Sequence, residues 1–432
     1  MRRFFLLLIA IAFALPSAAQ VVRIKVDDTI QPVSAEYISR GIDYAAQQHA
    51  NAVLIELRTP GGLVESTREI VAKILASPVP VIIYVTPTGA NAASAGFYIL
   101  ESADIAAMAP GTNTGSAHPV GYDIKDEVMK AKVENDLAAF LRSYEGKRNR
   151  NLAVGETVVR ESKAFSDQEA LNQHLIEIVA PNEQDLLAQA NNRTITRFDG
   201  STAVMKTATA PIVDYDPSLK EKILGFLVNP NIAFLVFAIG AISLYVEFNH
   251  PGAVIPGVLG TIFILLAAFS LNLLPVRFAA VTLILASFAF FVLEAKYATH
   301  GILGLGGMVL LTLGGLLLVD GPIPELRVKF ITALSVAIPF GAITVFLMTI
   351  AIRARRNKVT TGPEGMIGQT GIARSPLAPS GQVLVMGELW SAYSSTPIPA
   401  GEPIIVRAVD GLTLKVELAK QSASSREPAL QR

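Results

Sequence analysis

Apolar and polar positions fall into three successive patterns along the chain. From residue 20 to about 190, short apolar runs alternate with segments of helical spacing. The runs Val21 to Val26, Ala52 to Leu57, Val79 to Val85, Ile105 to Ala109 and Ile176 to Val179 are continuous and short, as strands buried on both faces are. Between them, Ser34 to Gln48, Val64 to Leu75, Lys125 to Tyr144 and Asp167 to His174 repeat apolar side chains every three or four residues, which predicts amphipathic helices. Strands alternating with helices predict an α/β domain with mostly parallel strands. In such sheets chemistry gathers in the loops beyond the carboxyl ends of the strands.

From 223 to 352 the polar face disappears: eight charged side chains stand in 130 residues, against 64 in the other 302. Five uncharged stretches (223–246, 248–276, 278–293, 297–319 and 330–352) approach or exceed the ~17 to 25 residues that a spanning helix needs. The third suffices if its helix begins near Leu273 and Arg277 snorkels. The pattern predicts an all-α transmembrane bundle of about five helices, set in the lipid bilayer. Asn249-His250-Pro251-Gly252, Pro275, Thr299-His300-Gly301 and Gly321-Pro322-Ile323-Pro324 break it into spans. From 359 to 418, eight glycines punctuate β-type runs at Gln382 to Met386, Pro403 to Ala408 and Leu412 to Leu418. About five short strands in sixty residues predict a small all-β barrel.

The start of the chain supplies the sidedness. Met1-Arg2-Arg3, an apolar run from Phe4 to Leu15, and small residues at Ser17 and Ala19 form the pattern of a secretory signal peptide, with cleavage expected after Ala19. An uncleaved anchor is the other reading; twelve apolar residues are too few to span a bilayer. An exported start and five crossings put the end in the cytoplasm, and Arg353, Arg355, Arg356 and Lys358 after the last span obey the positive-inside tendency. Arg277, Arg327 and Lys329 would lie outside, so the rule holds only in the main. The expected organisation is a signal peptide (1–19), an exported domain (20–190), a linker with a hairpin around Asp199-Gly200 (191–222), the membrane region (223–352), a cytoplasmic barrel (353–418) and a disordered tail (419–432). The location is the plasma (inner) membrane.

Composition removes several function classes. Lys plus Arg and Asp plus Glu number 36 each, so no global charge draws the chain to nucleic acid. The absence of cysteine excludes disulfides, thiol nucleophiles and cysteine-based metal sites. The five histidines are scattered, with no His-x-x-x-His pair, so neither metal nor cofactor is expected. The barrel region carries Arg374, Arg407 and Lys415 against five acids, and only Trp390 and Tyr393 as aromatics. It lacks the basic groove and stacking platform of a single-strand binder.

Two loops carry candidate chemistry. Thr59-Pro60-Gly61-Gly62-Leu63 lies between a strand and a helix, where paired glycines let backbone N–H groups approach a ligand, as an oxyanion hole requires. A tight turn explains the same residues equally well. Gly89-Ala90-Asn91-Ala92-Ala93-Ser94-Ala95-Gly96 opens a helix, where Ser94 can be a simple cap or a nucleophile favoured by small neighbours and the helix dipole. Ala92 departs from the Gly-x-Ser-x-Gly elbow.

These two loops, in this order and about 30 residues apart, resemble the ClpP and crotonase superfamily. With the signal peptide, Asn113-Thr114-Gly115-Ser116-Ala117-His118-Pro119-Val120, several spans and the terminal barrel, most of the chain resembles the membrane-anchored serine proteases of the long NfeD family. The resemblance implies Ser94 as nucleophile, a downstream lysine as general base, and an oxyanion hole at Gly61, Gly62 and Ala95. Lys125, Lys130 and Lys132 share one predicted helix, and Lys130 and Lys132 flank its apolar stripe (Met129, Val133, Leu137, Phe140, Tyr144), so periodicity does not choose between them. The family's lysine precedes an Asn-Asp pair by three residues, which Lys132-Val133-Glu134-Asn135-Asp136 matches. Such a lysine works near neutral pH only if burial or nearby positive charge lowers its pKa from about 10.4. An apolar pocket around its amine is therefore expected, completed by substrate or by contacts in a homo-oligomer. His118 sits near the site in the family and is not the base. Arg58 replaces the Asp or Asn that often precedes Thr-Pro-Gly-Gly, which puts substrate preference in question.

Glu364-Gly365, Gly387-Glu388-Leu389-Trp390 and Val409-Asp410-Gly411-Leu412-Thr413-Leu414 resemble the OB-like NfeD barrel, whose family partners are stomatin-like SPFH membrane proteins. The expected function is a serine endopeptidase with a Ser-Lys dyad that cuts apolar segments of membrane-associated proteins. The rival is a non-catalytic scaffold assembling with SPFH proteins. Acyl-CoA chemistry of the crotonase type fits poorly outside the cytoplasm.

Overall fold

The computed structural model describes residues 20–119, 127–249, 252, 254–297, 299–356 and 363–419; the expected signal peptide, the tail beyond Ala419 and Lys125 lie outside the described residues. The chain forms two units, divided between Val345 and Phe346. The first opens β1 (Val21–Asp27), α1 (Pro32–Gln47), β2 (Ala52–Arg58), α2 (Val64–Leu75), β3 (Val81–Val85), β4 (Asn91–Ala93), α3 (Ala95–Ser102), β5 (Ile105–Met108) and β6 (Asn113–Gly115). It continues α4 (Glu127–Glu145), α5 (Leu152–Arg160), β7 (Ala164–Ser166), α6 (Asp167–Asn172), β8 (Ile178–Val179) and α7 (Glu183–Ala190). Then come β9 (Thr194–Thr196), β10 (Thr202–Val204) and β11 (Ile212–Asp214).

Six strands form one parallel sheet in the order β11-β1-β2-β3-β5-β8. Alternate side chains serve opposite faces. Val53, Ile55 and Leu57 of β2 and Val81, Ile83 and Val85 of β3 enter the core beneath α1 to α4. Leu54, Ile82 and Tyr84 face Leu186 and Leu187 of α7 on the other side. Coverage on both faces explains why these strands read as unbroken apolar runs. The segment expected to be a linker goes further than a hairpin: β9 and β10 pair antiparallel, and β11 then adds an edge strand beside β1. Its Thr-rich composition hid a strand that lies on the sheet edge. A second, three-stranded sheet β4-β6-β7 crosses the carboxyl ends of the first, bridged to it at Thr59 and Ala92. Its strands are three residues each, too short for any periodicity to reveal.

After α8 (Leu219–Leu227) come five apolar helices: α9 (Pro230–Asn249), α10 (Ile255–Asn272), α11 (Phe278–Tyr297), α12 (Ile302–Leu317) and α13 (Phe330–Arg356). By length and composition three of them can cross a membrane, at Pro230–Phe248, Ile255–Asn272 and Pro324–Phe346; Phe278–Glu294 and Ile302–Leu317 are shorter apolar helices. The fourth expected span is cut short because Thr299-His300-Gly301 delays α12 to Ile302, with Gly301 left-handed at its cap. Close packing replaces side-chain bulk here: a Cβ on Gly314 would stand 2.7 Å from Ile284, and one on Gly240 3.1 Å from the carbonyl of Gly260, the small-residue contact typical of membrane helices.

The helix ends nearest the α/β domain are tied together. Val276 and Val319 form an isolated antiparallel bridge, Arg277 pairs with Asp320 at 2.7 Å, and Asn231 accepts the Lys329 N–H at 2.9 Å. Their apolar cluster takes in Val33 of α1 and Leu63 from the glycine loop, beside Phe234, Ile323 and Leu326. Arg40 of α1 also holds Glu221 of α8 at 3.1 Å.

In the second unit, α14 (Pro363–Met366) precedes β12 (Thr370–Ala373), β13 (Ser380–Val385), β14 (Glu388–Tyr393), β15 (Pro403–Asp410) and β16 (Thr413–Leu418). They close a barrel in the order β12-β13-β14-β16-β15 around Val383, Val385, Ile404, Val406, Leu414 and Val416. The three expected architectures, α/β, apolar all-α and small closed barrel, are all present.

Candidate active site

Ser94 occupies the sharp turn from β4 into α3. Its backbone stands at φ 54° and ψ −111°, a region that costs a non-glycine residue of order 1–3 kcal/mol and persists only where the surroundings enforce it. The Ser94 N–H donates to Gly115 O at 2.8 Å and its carbonyl accepts the Phe97 N–H at 3.0 Å. The hydroxyl makes no capping bond to α3, so the cap reading fails. What remains is a half-buried, unengaged hydroxyl on a strained strand-to-helix turn, the geometry of a nucleophile elbow despite Ala92.

The glycine loop packs directly on this serine. Gly61 has φ +123°, and a Cβ there would lie 2.8 Å from Ser94 Cβ and 3.3 Å from its hydroxyl oxygen. One on Gly62 would strike the Ile30 carbonyl oxygen at 2.0 Å. Ile30 clamps the loop, donating to Gly61 O at 2.9 Å and accepting from Leu63 N at 2.8 Å. The Gly61 N–H is engaged by Thr59 Oγ1 at 3.2 Å, so Gly61 contributes by having no side chain. The N–H groups of Gly62 and of Ala95, the first residue of α3, have no acceptor among the described residues. Gly96 completes the approach, since a Cβ there would meet Thr59 Cγ2 at 2.6 Å.

A cavity of about 40 Å³ opens at this point, lined by Gly62, Ser94 and Ala95 together with Val64, Thr67, Arg68, Tyr98, Ala117, Pro119, Leu137, Phe140 and Pro322. Tyr98 is one helical turn from Ser94; its hydroxyl is buried without a partner, and burial raises its pKa. Arg68 is held by Asp136 at 2.6 Å and lies 4.4 Å from the Phe140 ring centre. Sequence reasoning missed these wall residues. The spacing of four from Ser94 could have found Tyr98, whereas nothing local points to Pro322.

The structure does not bring the predicted base to the serine. Lys132 and Lys130 are both exposed on α4, outside the cavity lining, and Lys132 has no ion pair among the described residues. Among the described residues, no apolar pocket surrounds the amine. Its helix nonetheless reaches the site, through Leu137 and Phe140 further along. The His118 Nδ1 lies 3.0 Å from Val159 O, and His118 does not line the Ser94 cavity. Arg58 pairs with Asp27 at 3.5 Å, its cross-strand neighbour. It lines a separate groove of about 420 Å³ with Pro60, Asn91, Glu325 and Lys329. No cluster of three metal-ligating side chains occurs among the described residues.

Three family models match the chain in succession: the NfeD1b N-terminal domain over residues 20–196, the NfeD integral membrane domain over 231–350, and the NfeD-like C-terminal, partner-binding domain over 363–417. A membrane-bound protease of Pyrococcus horikoshii is 34% identical over 434 residues, covering 96% of this chain and 98% of that one. The membrane protein NfeD1b of Bacillus subtilis is 28% identical over 393 residues, 84% of this chain and 85% of the other. Among solved structures, a membrane protease from Pyrococcus horikoshii described as specific for a stomatin homolog is 30% identical, with a TM-score of 0.43, and covers 49% of this chain and all of its own.

Proposed function

We propose, for a chain that belongs to the long-form NfeD family of membrane-bound serine proteases, that Ser94 and Lys132 form its catalytic dyad. The observation that carries the nucleophile is the strained Ser94, whose hydroxyl makes no capping bond, beside the Gly62 and Ala95 N–H groups that have no acceptor among the described residues; Lys132 comes from the family pattern. The Ser94 hydroxyl attacks the scissile carbonyl as the neutral Lys132 amine takes its proton. The N–H groups of Gly62 and Ala95 hold the resulting oxyanion, each worth roughly 3–4 kcal/mol by the usual cost of losing one. Collapse expels the amine product, protonated by the lysine, and leaves an acyl-serine that water cleaves by the same route.

Lys132 must reach the serine and lose its solvation for this to happen. The start of α4 that carries it also exposes Val128 and Met129, which supports a homo-oligomer or bound substrate covering that stretch and enclosing the amine. Of the two readings, family membership favours the enzyme over the scaffold.

Substrate and sidedness follow the same premise. The catalytic domain lies outside the membrane and cuts apolar segments of membrane-associated proteins, with stomatin-like SPFH proteins as partner and substrate class. An odd number of crossings, whether three or five, and the basic residues Arg353, Arg355 and Arg356 at the end of α13 support a cytoplasmic barrel. Exposed Met386, Leu389 and Leu412 on the barrel suit protein contact. Purified full-length protein should cleave a stomatin-like membrane protein, and Ser94→Ala and Lys132→Ala should each abolish cleavage while remaining folded. Full activity in either variant refutes the dyad.

A further inference from the structure

The cavity beside Ser94 contains one residue from outside the α/β domain. Pro322 belongs to the connection between α12 and α13, 228 residues beyond the nucleophile, yet it closes the same cavity as Gly62, Ser94 and Ala95. The connection is braced at many points. Asp320 is bonded through its N–H to Pro275 O at 2.8 Å and through its carboxylate to Arg277 at 2.7 Å. Arg327 Nε donates to Gly321 O at 2.7 Å. A Cβ on Gly321 would sit 2.3 Å from the Leu326 carbonyl oxygen, so the turn admits only glycine there. Ile323 and Leu326, just after it, are buried with Phe234 and with Val33 of the α/β domain, and Leu63 packs against them.

We propose that this connection forms a wall of the subsite for the substrate side chain on the acyl side of the scissile bond, and that Pro322 sets the size of residue admitted. The inference rests on Ser94 being the nucleophile. The group attacked by Ser94 and held by the Gly62 and Ala95 N–H groups is the scissile carbonyl. The side chain one atom removed from that carbonyl must enter the space those three residues line. The rest of the lining is mainly apolar, with Val64, Leu137 and Phe140, and its one charged residue, Arg68, is paired with Asp136, which suits an uncharged side chain. At about 40 Å³ the cavity is small, which favours a small side chain such as alanine over leucine or phenylalanine. The membrane region is thereby part of the catalytic site, and the wall moves only if the helix ends that brace it move.

Full-length protein in detergent or lipid nanodiscs, assayed on peptides that differ only in the residue before the scissile bond, tests this. Wild type should prefer alanine to leucine. Pro322→Ala should raise kcat/KM for leucine relative to alanine by roughly tenfold, the usual scale for a change of one or two methylenes in an apolar subsite. Pro322→Leu should narrow the profile further. Unchanged profiles in both variants, with wild type and Ser94→Ala active and inactive respectively, overturn the subsite while leaving the nucleophile standing. Undiminished cleavage by Ser94→Ala would instead overturn the catalytic reading on which it rests.

Discussion

The two halves of the proposed dyad are built to different standards. Around Ser94 the backbone is held on both sides: Gly115 and Phe97 bond the serine itself, and Ile30 clamps the loop that faces it. The Lys132 side chain is exposed and makes no ion pair among the described residues, although α4 is one continuous helix. Its later turns are anchored: Tyr144 donates to the carbonyl of Tyr98 at 3.0 Å, and Leu141 and Tyr144 are fully buried. Its first turns expose Val128, Met129, Lys130 and Lys132. The difference teaches that oxyanion and nucleophile geometry can be stored in one chain, because it consists of main-chain atoms that glycines and strain hold in place. A neutral lysine is harder to hold, since its enclosure requires apolar surface that the described residues do not place around it.

The largest effect should come from disturbing the fixed half. In Gly61→Ala the new methyl group falls 2.8 Å from Ser94 Cβ, at a backbone φ of +123° that alanine resists. Either the loop or the serine must shift, and displacements near 1 Å cost about a hundredfold in rate. We expect kcat to fall at least that far, with a melting temperature only a few degrees lower. Activity within tenfold of wild type would mean that the glycine loop is not part of the catalytic geometry.

The anchored end of α4 offers the next effect. Glu145 ends the helix, fully buried, with neither carboxyl oxygen partnered, packed on Gly155. Burial pushes its pKa from 4.5 up to about 8, with Arg150 pulling down and Glu156 pushing up. Glu101, on the helix that follows Ser94, is buried in the same cluster and likewise raised by burial. Arg150 spans the group, 3.8 Å from Glu101 and 2.8 Å from Glu177. A carboxyl whose folded pKa lies above its unfolded value favours folding while protonated. Its stabilisation is complete below about pH 4.5 and declines as pH rises toward 8. Glu145→Gln keeps the shape without the charge, so it should flatten the loss of stability between pH 5 and pH 8, by an amount on the order of a few kcal/mol. Thermal melts across that range check it; parallel curves for wild type and variant would show that Glu145 does not titrate there.

What could be read from the sequence follows the same division. The strands of the large sheet were legible because burial on both faces leaves an uninterrupted apolar run, as in Val81 to Val85. The two candidate loops were legible because close backbone approach demands glycine and alanine, leaving a local signature. β11 was hidden by its polar surroundings, and β4, β6 and β7 by their length. Pro322 was invisible for a different reason: its contact with the Ser94 cavity is made by tertiary packing between segments far apart in sequence, and a proline in a membrane loop ordinarily signals only a turn. Lys132 was chosen through the Asn135-Asp136 pair, and helical periodicity alone left it level with Lys130.

The smallest effect concerns the residue that departs most clearly from the family pattern. Arg58 stands one residue before the Thr59-Pro60-Gly61-Gly62 loop, yet its guanidinium turns to Asp27 at 3.5 Å, with both side chains more than half exposed. Exposed pairs of this kind contribute about 0–1 kcal/mol. The groove that Arg58 lines is separate from the Ser94 cavity. Arg58→Ala should therefore shift the melting temperature by no more than about 2 °C, the scale of one such pair in a protein this large. It should leave kcat/KM within about threefold, since an exposed pair outside the cavity touches neither carbonyl nor side chain at the scissile bond. A larger fall in kcat/KM, carried by KM, would extend the substrate path into that groove. The fixed half of the site would then reach beyond the Gly61 clamp to the ends of β1 and β2.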